Sequence, residues 1–149
     1  MSLIVKSIDS PDGDLAEKIN SILRTHNCAS NPRFWALADE QNFAAKPLNL
    51  FAFIDGEAVG GLFASTQLSW LKLTILAVDE VHRKNGIGSR LVFDAEREAM
   101  SRSCRYSYVD TMDFQAPRLY LNLGYTLCGR LADWDSHGHD KLFFSKRLR

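Results

Sequence analysis

The chain has 149 residues, 46% hydrophobic and 24% charged, with 18 Lys+Arg against 18 Asp+Glu. These are globular values that exclude a disordered or fibrous chain, and the length fits one domain, 1–149, able to bury a core without disulfides or metal. Zero net charge and apolar runs far shorter than the roughly 20 residues of a membrane helix make nucleic acid and membrane unexpected partners.

Ser2 to Ile8 alternates loosely, as an edge strand would, and carries Lys6 where a signal peptide needs a longer apolar stretch. Asp9-Ser-Pro-Asp-Gly supplies turn and cap chemistry before a helix over Asp14 to Arg24, with Leu15, Ile19, Ile22 and Leu23 at helical spacing. His26 to Pro47 mixes Asn, Pro and aromatics and reads as a short helix with loops. Leu48 to Ile54 ends at the hairpin signal Asp55-Gly56, Ala58 to Thr66 follows, and Trp70 to Val78 makes a third strand. In that third strand alternation places Leu71, Leu73, Ile75 and Ala77 on one face, and near-continuous apolarity after Thr74 suggests burial on both sides. A helix from Gly86 to about Ser101 repeats Ile87, Leu91, Ala95 and Ala99 every fourth residue. A strand (Tyr106 to Thr111), a short helix (Gln115 to Leu123) and two closing strands (Tyr125 to Leu131, Lys141 to Leu148) complete the chain. Three strands in a meander followed by a strand–helix–strand crossover predict a mixed sheet with one parallel pair.

Cys28, Cys104 and Cys128 are odd in number and form no C-x-x-C pair, which suits free thiols in a reducing cytoplasm. Residues 1–80 hold 6 Lys+Arg against 10 Asp+Glu and residues 81–149 hold 12 against 8, so a polyanionic ligand would favour the second half. Asp135-Ser-His137-Gly-His139-Asp140 has two imidazoles at i,i+2, but no helix sets their geometry and no cysteine is near, so no metal site is expected.

The segment Val78-Asp-Glu-Val-His-Arg83-Lys84-Asn85-Gly86-Ile87-Gly88-Ser89 joins a strand end to a helix through a basic, glycine-bearing turn. The first N–H groups of a helix lack internal partners and carry the positive end of its dipole. Gly86 and Gly88 lack a Cβ and leave the backbone open to a phosphate, while Arg83 and Lys84 add charge; the set reads as a pyrophosphate cradle. Two phosphate motifs do not fit. The P-loop spacing is absent, and Leu91 stands where the dinucleotide fingerprint needs Gly or Ala.

Arg83-Lys-Asn-Gly86-Ile-Gly88, after the strand ending at Val78, resembles the Arg/Gln-x-x-Gly-x-Gly/Ala motif of the GNAT superfamily of N-acetyltransferases. Ala116-Pro-Arg-Leu-Tyr120-Leu-Asn-Leu-Gly124-Tyr125 is similar to that family's second motif, Ala-x-x-x-Tyr-x-x-x-Gly-Phe/Tyr, in the right order and separated by a helix and a strand. The tail is similar to that of small bacterial members. The resemblance implies an α/β fold (α+β by some schemes): a mixed sheet of about six or seven strands, helices on both faces, and the parallel pair at the cofactor cleft.

It further implies acetyl-CoA as cosubstrate, without metal. Leu76, Val78, Arg83, Lys84, Asn85, Gly86, Ile87, Gly88 and Ser89 would bind it, the Leu76 N–H facing the thioester carbonyl. Tyr120 matches the tyrosine that protonates the leaving thiolate while a primary amine, expected to be a small molecule, attacks directly in a ternary complex. Lys72 stands where many relatives carry a glutamate base, which leaves Asp110 or a water relay to take the proton. The same departure supports an alternative, a CoA-binding sensor without catalysis. Asp113 stands where many relatives have Asn. The family also implies a homodimer as one oligomeric option, and residues 26–47 as a candidate wall of the acceptor pocket.

Overall fold

The computed structural model describes residues 2–38 and 43–148. The chain divides into two compact units, Met1–Phe43 and Ala44–Arg149. No helix among the described residues is long and apolar enough to cross a membrane.

The first unit holds helices α1 (Gly13–Ser30) and α2 (Pro32–Ala38). Asp12 caps α1, its carboxylate accepting from the Leu15 N–H at 2.7 Å. The helix continues to Ser30 instead of stopping near Arg24. Its polar last turns carry no apolar spacing that would announce them, and it stops at Asn31, which precedes Pro32 and is thereby pushed out of the helical region. Pro32 then opens α2, where its missing N–H costs nothing. Phe34 packs edge-on against Trp35 and Phe43. Residues 39–42 of the poorly legible 26–47 stretch lie outside the described residues. The edge strand expected over Ser2 to Ile8 does not form. A strand exists only with a ladder partner, and no strand is described in this unit to supply one.

The second unit is a six-stranded sheet, in chain order β1 (Lys46–Ile54), β2 (Glu57–Gln67), β3 (Trp70–Val78), β4 (Tyr106–Met112), β5 (Thr126–Leu131) and β6 (Lys141–Arg147), arranged β1-β2-β3-β4-β6-β5. Asp55 and Gly56, with φ of 51° and 88°, make the tight turn between β1 and β2. β3 and β4 are the parallel pair; the other neighbours are antiparallel. Helix α3 (Ile87–Ser101) crosses from β3 to β4, and α4 (Pro117–Asn122) leads from β4 to β5.

The core lies on one face of this sheet. Leu91, Val92, Ala95 and Ala99 of α3 and Tyr120 of α4 pack with Leu48, Leu62, Ala64, Leu71, Leu73, Val109 and Phe144. The Leu91 and Ala95 of the predicted fourfold repeat are thus buried, joined by Val92 from the adjoining stripe.

Candidate active site

Two irregularities open the sheet. The register between β2 and β3 slips at Phe63/Ala64, so that Phe63 faces Ile75 while Ala64 faces Leu73, and Thr74 is the extra residue. The bulge corrects the alternation expected for β3. Leu71 and Leu73 are buried; beyond Thr74 the inward face passes to Leu76 and Val78, and Ile75 is 52% exposed. Parallel pairing with β4 also ends there, its last pair being Leu73–Val109. From Thr74 to Val78 the edge of β3 that faces β4 has no strand partner among the described residues.

The cradle segment lies beside this open edge. Glu80–His82 form a single 3-10 turn, and the Arg83 Nε donates to the Val78 carbonyl at 3.0 Å, tying the basic turn to the strand end. Lys84 has φ of 65°, and Gly86, the N-cap of α3, has φ of 78° and ψ of 0°. Left-handed residues at alternate positions curl successive N–H groups toward one side, the geometry of an anion-binding nest. No N–H from Lys84 to Ser89 donates to an acceptor among the described residues. A Cβ at Gly86 would meet open space, whereas one at Gly88 would lie 3.7–3.9 Å from Leu119, Val78 and Leu76. The missing side chain of Gly88 therefore faces the apolar wall of the open edge. Leu76, Val78 and the run Arg83 to Ser89 are in this way brought together.

Tyr120 is buried in α4, its ring 5.7 Å from that of Tyr125 and 6.1 Å from that of Phe144. Its hydroxyl makes no hydrogen bond to a described residue and is not among the fully buried unpaired atoms. Burial, reinforced by the negative charge of Asp110, pushes the phenol up to about 12. It stays protonated at neutral pH, as a donor to a leaving thiolate must.

That shift carries a stability prediction. With the folded-state pKa above the unfolded value near 10, the shift leaves stability unchanged below pH 10, where the phenol is neutral in both states. It lowers stability as pH rises from 10 through 12, where the unfolded phenol ionises and the buried one resists. Two units correspond to on the order of 2–3 kcal/mol. Urea midpoints measured from pH 8 to 12 are expected to fall less steeply in Tyr120→Phe than in the wild type.

Asp110 lies one residue beyond the last position at which β4 pairs with β3, and its Oδ2 meets the Lys141 Nζ at 2.9 Å. Lys141 also sits 4.9 Å over the Trp134 ring. Sequence reasoning missed this pair, since a β-register between β4 and β6 creates it and no local motif marks it.

The loop between β5 and β6 is knitted by its own carboxylates. Asp135 accepts from the N–H groups of His137 and His139, and Asp133 from that of Gly138. The His137 N–H holds the Asp135 carboxyl below the ordinary carboxylate range. Asp113 fastens this loop to the end of β4, accepting from the Asp140 N–H at 3.0 Å and meeting the His139 Nδ1 at 3.1 Å. The Asp140 N–H, with His139, likewise lowers Asp113. The two imidazoles thus spend their Nδ1 atoms on protein contacts, and no group of three or more His, Cys, Asp or Glu that could hold a metal is found among the described residues.

Residues 17–125 match the model of the acetyltransferase (GNAT) family. Blasticidin-S acetyltransferase of Streptomyces morookaense is 38% identical over 117 residues, covering 75% of this chain and 86% of that protein. An acetyltransferase from Bacillus cereus superposes with a TM-score of 0.74 at 29% identity, over 95% of this chain and 97% of its own. An aminoglycoside 6'-N-acetyltransferase solved with coenzyme A shares the fold, with a TM-score of 0.65 at 22% identity over 99% and 98% of the two chains. With the family model spanning most of its length and the two motifs framing an opened parallel pair, the chain belongs to the GNAT family of acetyltransferases.

Proposed function

We propose that this protein transfers the acetyl group of acetyl-CoA to a primary amine of a small molecule, by direct attack in a ternary complex. The observation that carries the reading is the row of unclaimed main-chain N–H groups from Lys84 to Ser89, set at the N-terminus of α3 beside the unpaired edge of β3. Acetyl-CoA supplies the activated acyl group; the chain's residues bind, orient and move protons.

In this reading the nest and Arg83 hold the diphosphate. The free edge of β3, with Leu76 and Val78, lines the path of the pantetheine arm, and the Leu76 N–H is a preorganised donor for charge developing on the thioester oxygen. Tyr120 protonates the departing sulfur. Asp110 keeps Oδ1 free of hydrogen bonds to described residues, so it can receive the amine proton through water while Lys141 holds Oδ2. Holding both reactants in one cleft accounts for much of the acceleration.

Free-thiol release from acetyl-CoA with a panel of primary amines tests the reading, and binding of CoA without release identifies a sensor instead. Gly86→Ala adds a second test. Its Cβ meets no protein atom, but an L-residue at φ of 78° is strained by about 1–2 kcal/mol and the nest is disturbed. The KM for acetyl-CoA is expected to rise about tenfold, a loss of about 1.4 kcal/mol, with kcat changed far less.

A further inference from the structure

Below the point where β3 and β4 part, one strip of the sheet face opposite the core is built from aromatic rings. Trp70 pairs with Tyr106 and Lys72 with Tyr108 across the parallel strands, so these four side chains share a face. Trp70 stacks on Tyr106 at 4.9 Å and meets Tyr108 edge-on at 5.8 Å. A cavity of about 580 Å³ lies against the lower part of the strip, lined in part by Trp70, Tyr106, Thr126 and Ser145.

The charge on this strip is one-sided. Asp110, its acid, is matched by Lys141. Lys72 lies 5.9 Å over the Tyr108 ring and Arg105 5.9 Å from the Tyr106 ring, and neither has a carboxylate partner among the described residues. A cation resting on a ring face keeps most of its charge available, since the ring offers a quadrupole and no counter-charge. Lys72 stands two strand positions below the level of Asp110, a separation of roughly 7 Å.

We propose that this strip recognises the acceptor, and that the acceptor is an amine carrying a planar ring and an anionic group, carboxylate or phosphate, roughly 7 Å from the reacting nitrogen. The inference rests on the acetyl-transfer reading above and deepens it. Lys72 takes the anion, Trp70 and Tyr108 take the ring, and the amine reaches the opening between β3 and β4. A polycationic acceptor would meet Lys72 as a like charge.

A matched series tests this, with kcat/KM read from thiol release. Its members are 4-(aminomethyl)benzoate, 4-(aminomethyl)phenylphosphonate, 4-methylbenzylamine, 1,4-bis(aminomethyl)benzene and trans-4-(aminomethyl)cyclohexanecarboxylate. The benzoate or the phosphonate is expected to exceed 4-methylbenzylamine by about tenfold and the diamine by more, the better of the two identifying the anion. The cyclohexane acid is expected to fall about fivefold below the benzoate. Lys72→Met should bring the anion preference within about twofold, Lys72→Arg should keep it, and 0.5 M NaCl should compress it in the wild type. Equal kcat/KM across the series, or a preference indifferent to Lys72→Met and to salt, overturns the proposal while leaving acetyl transfer standing. No thiol release with any amine overturns both.

Discussion

Tyr120→Phe is expected to lower kcat about 100-fold, the lower end of what a positioned general acid contributes, while the KM for acetyl-CoA stays within about threefold. The structure makes the substitution interpretable. The phenylalanine ring keeps the contacts with Tyr125 and Phe144, and the lost hydroxyl leaves no partner orphaned, because it bonds to no described residue. Stability at pH 7 should therefore hardly move, and a fall in turnover cannot be charged to unfolding. With its pKa pushed up to about 12, Tyr120 adds no ionisation to the pH–rate profile below pH 10, so the defect should be uniform from pH 6 to 9. Single-turnover measurement separates the chemical step from product release. Wild-type single-turnover rates in the variant would remove the acid role and leave Tyr120 as a packing residue.

The parts of this site that were legible in the sequence are those encoded locally. A basic turn with Gly86 and Gly88 before an apolar-periodic helix announces a strand–turn–helix junction, and Tyr120 and Gly124 mark the α4 motif through fixed spacing. What pairing between distant segments decides was not legible. Thr74 becomes the extra residue of a bulge only because β2 supplies the opposite register, and without it the apolar run Ile75 to Val78 reads as buried on both sides, although Ile75 is 52% exposed. The Asp110–Lys141 pair, and the contacts of Asp113 with His139 and Asp140, likewise arise where β4 and β6 come together. The left-handed Lys84 has no local signal either, since Lys carries no preference for φ of 65°. Strain of that kind at a turn flanked by free N–H groups is common where a backbone is shaped for a ligand. The basic, glycine-bearing turn was thus visible as composition, and its curvature was not. Ser2 to Ile8 failed in the opposite direction: a plausible strand pattern had no partner to pair with.

Lys146→Met is expected to destabilise the protein by about 3 kcal/mol, the largest stability effect of any single substitution considered. Glu96 points from α3 into the core, its side chain 9% exposed, and its Oε2 meets the Lys146 Nζ at 2.6 Å. Lys146 also lies 5.5 Å over the Tyr125 ring, and the Tyr125 hydroxyl is 2.8 Å from the Ser107 Oγ, so the pair sits in a buried polar cluster behind β4 and β6. Burial first, and the nearby Glu96 charge second, raise the Tyr125 phenol, which keeps the cluster's remaining charges to the ion pair. Removing the cation leaves a buried carboxylate with no counter-charge and only neutral groups, the Tyr125 phenol among them, beside it. Removing the anion is milder, because Lys146 is 24% exposed and its flexible stem can carry the ammonium to water. The order of melting temperatures should therefore be Lys146→Met lowest, Glu96→Met intermediate, and the double variant close to wild type, since burying two methionines removes the desolvation cost along with the attraction. For a chain of this size about 3 kcal/mol corresponds to a fall of roughly 6–12 °C. A Lys146→Met protein melting within 2 °C of wild type would mean that Glu96 finds another partner or reaches solvent.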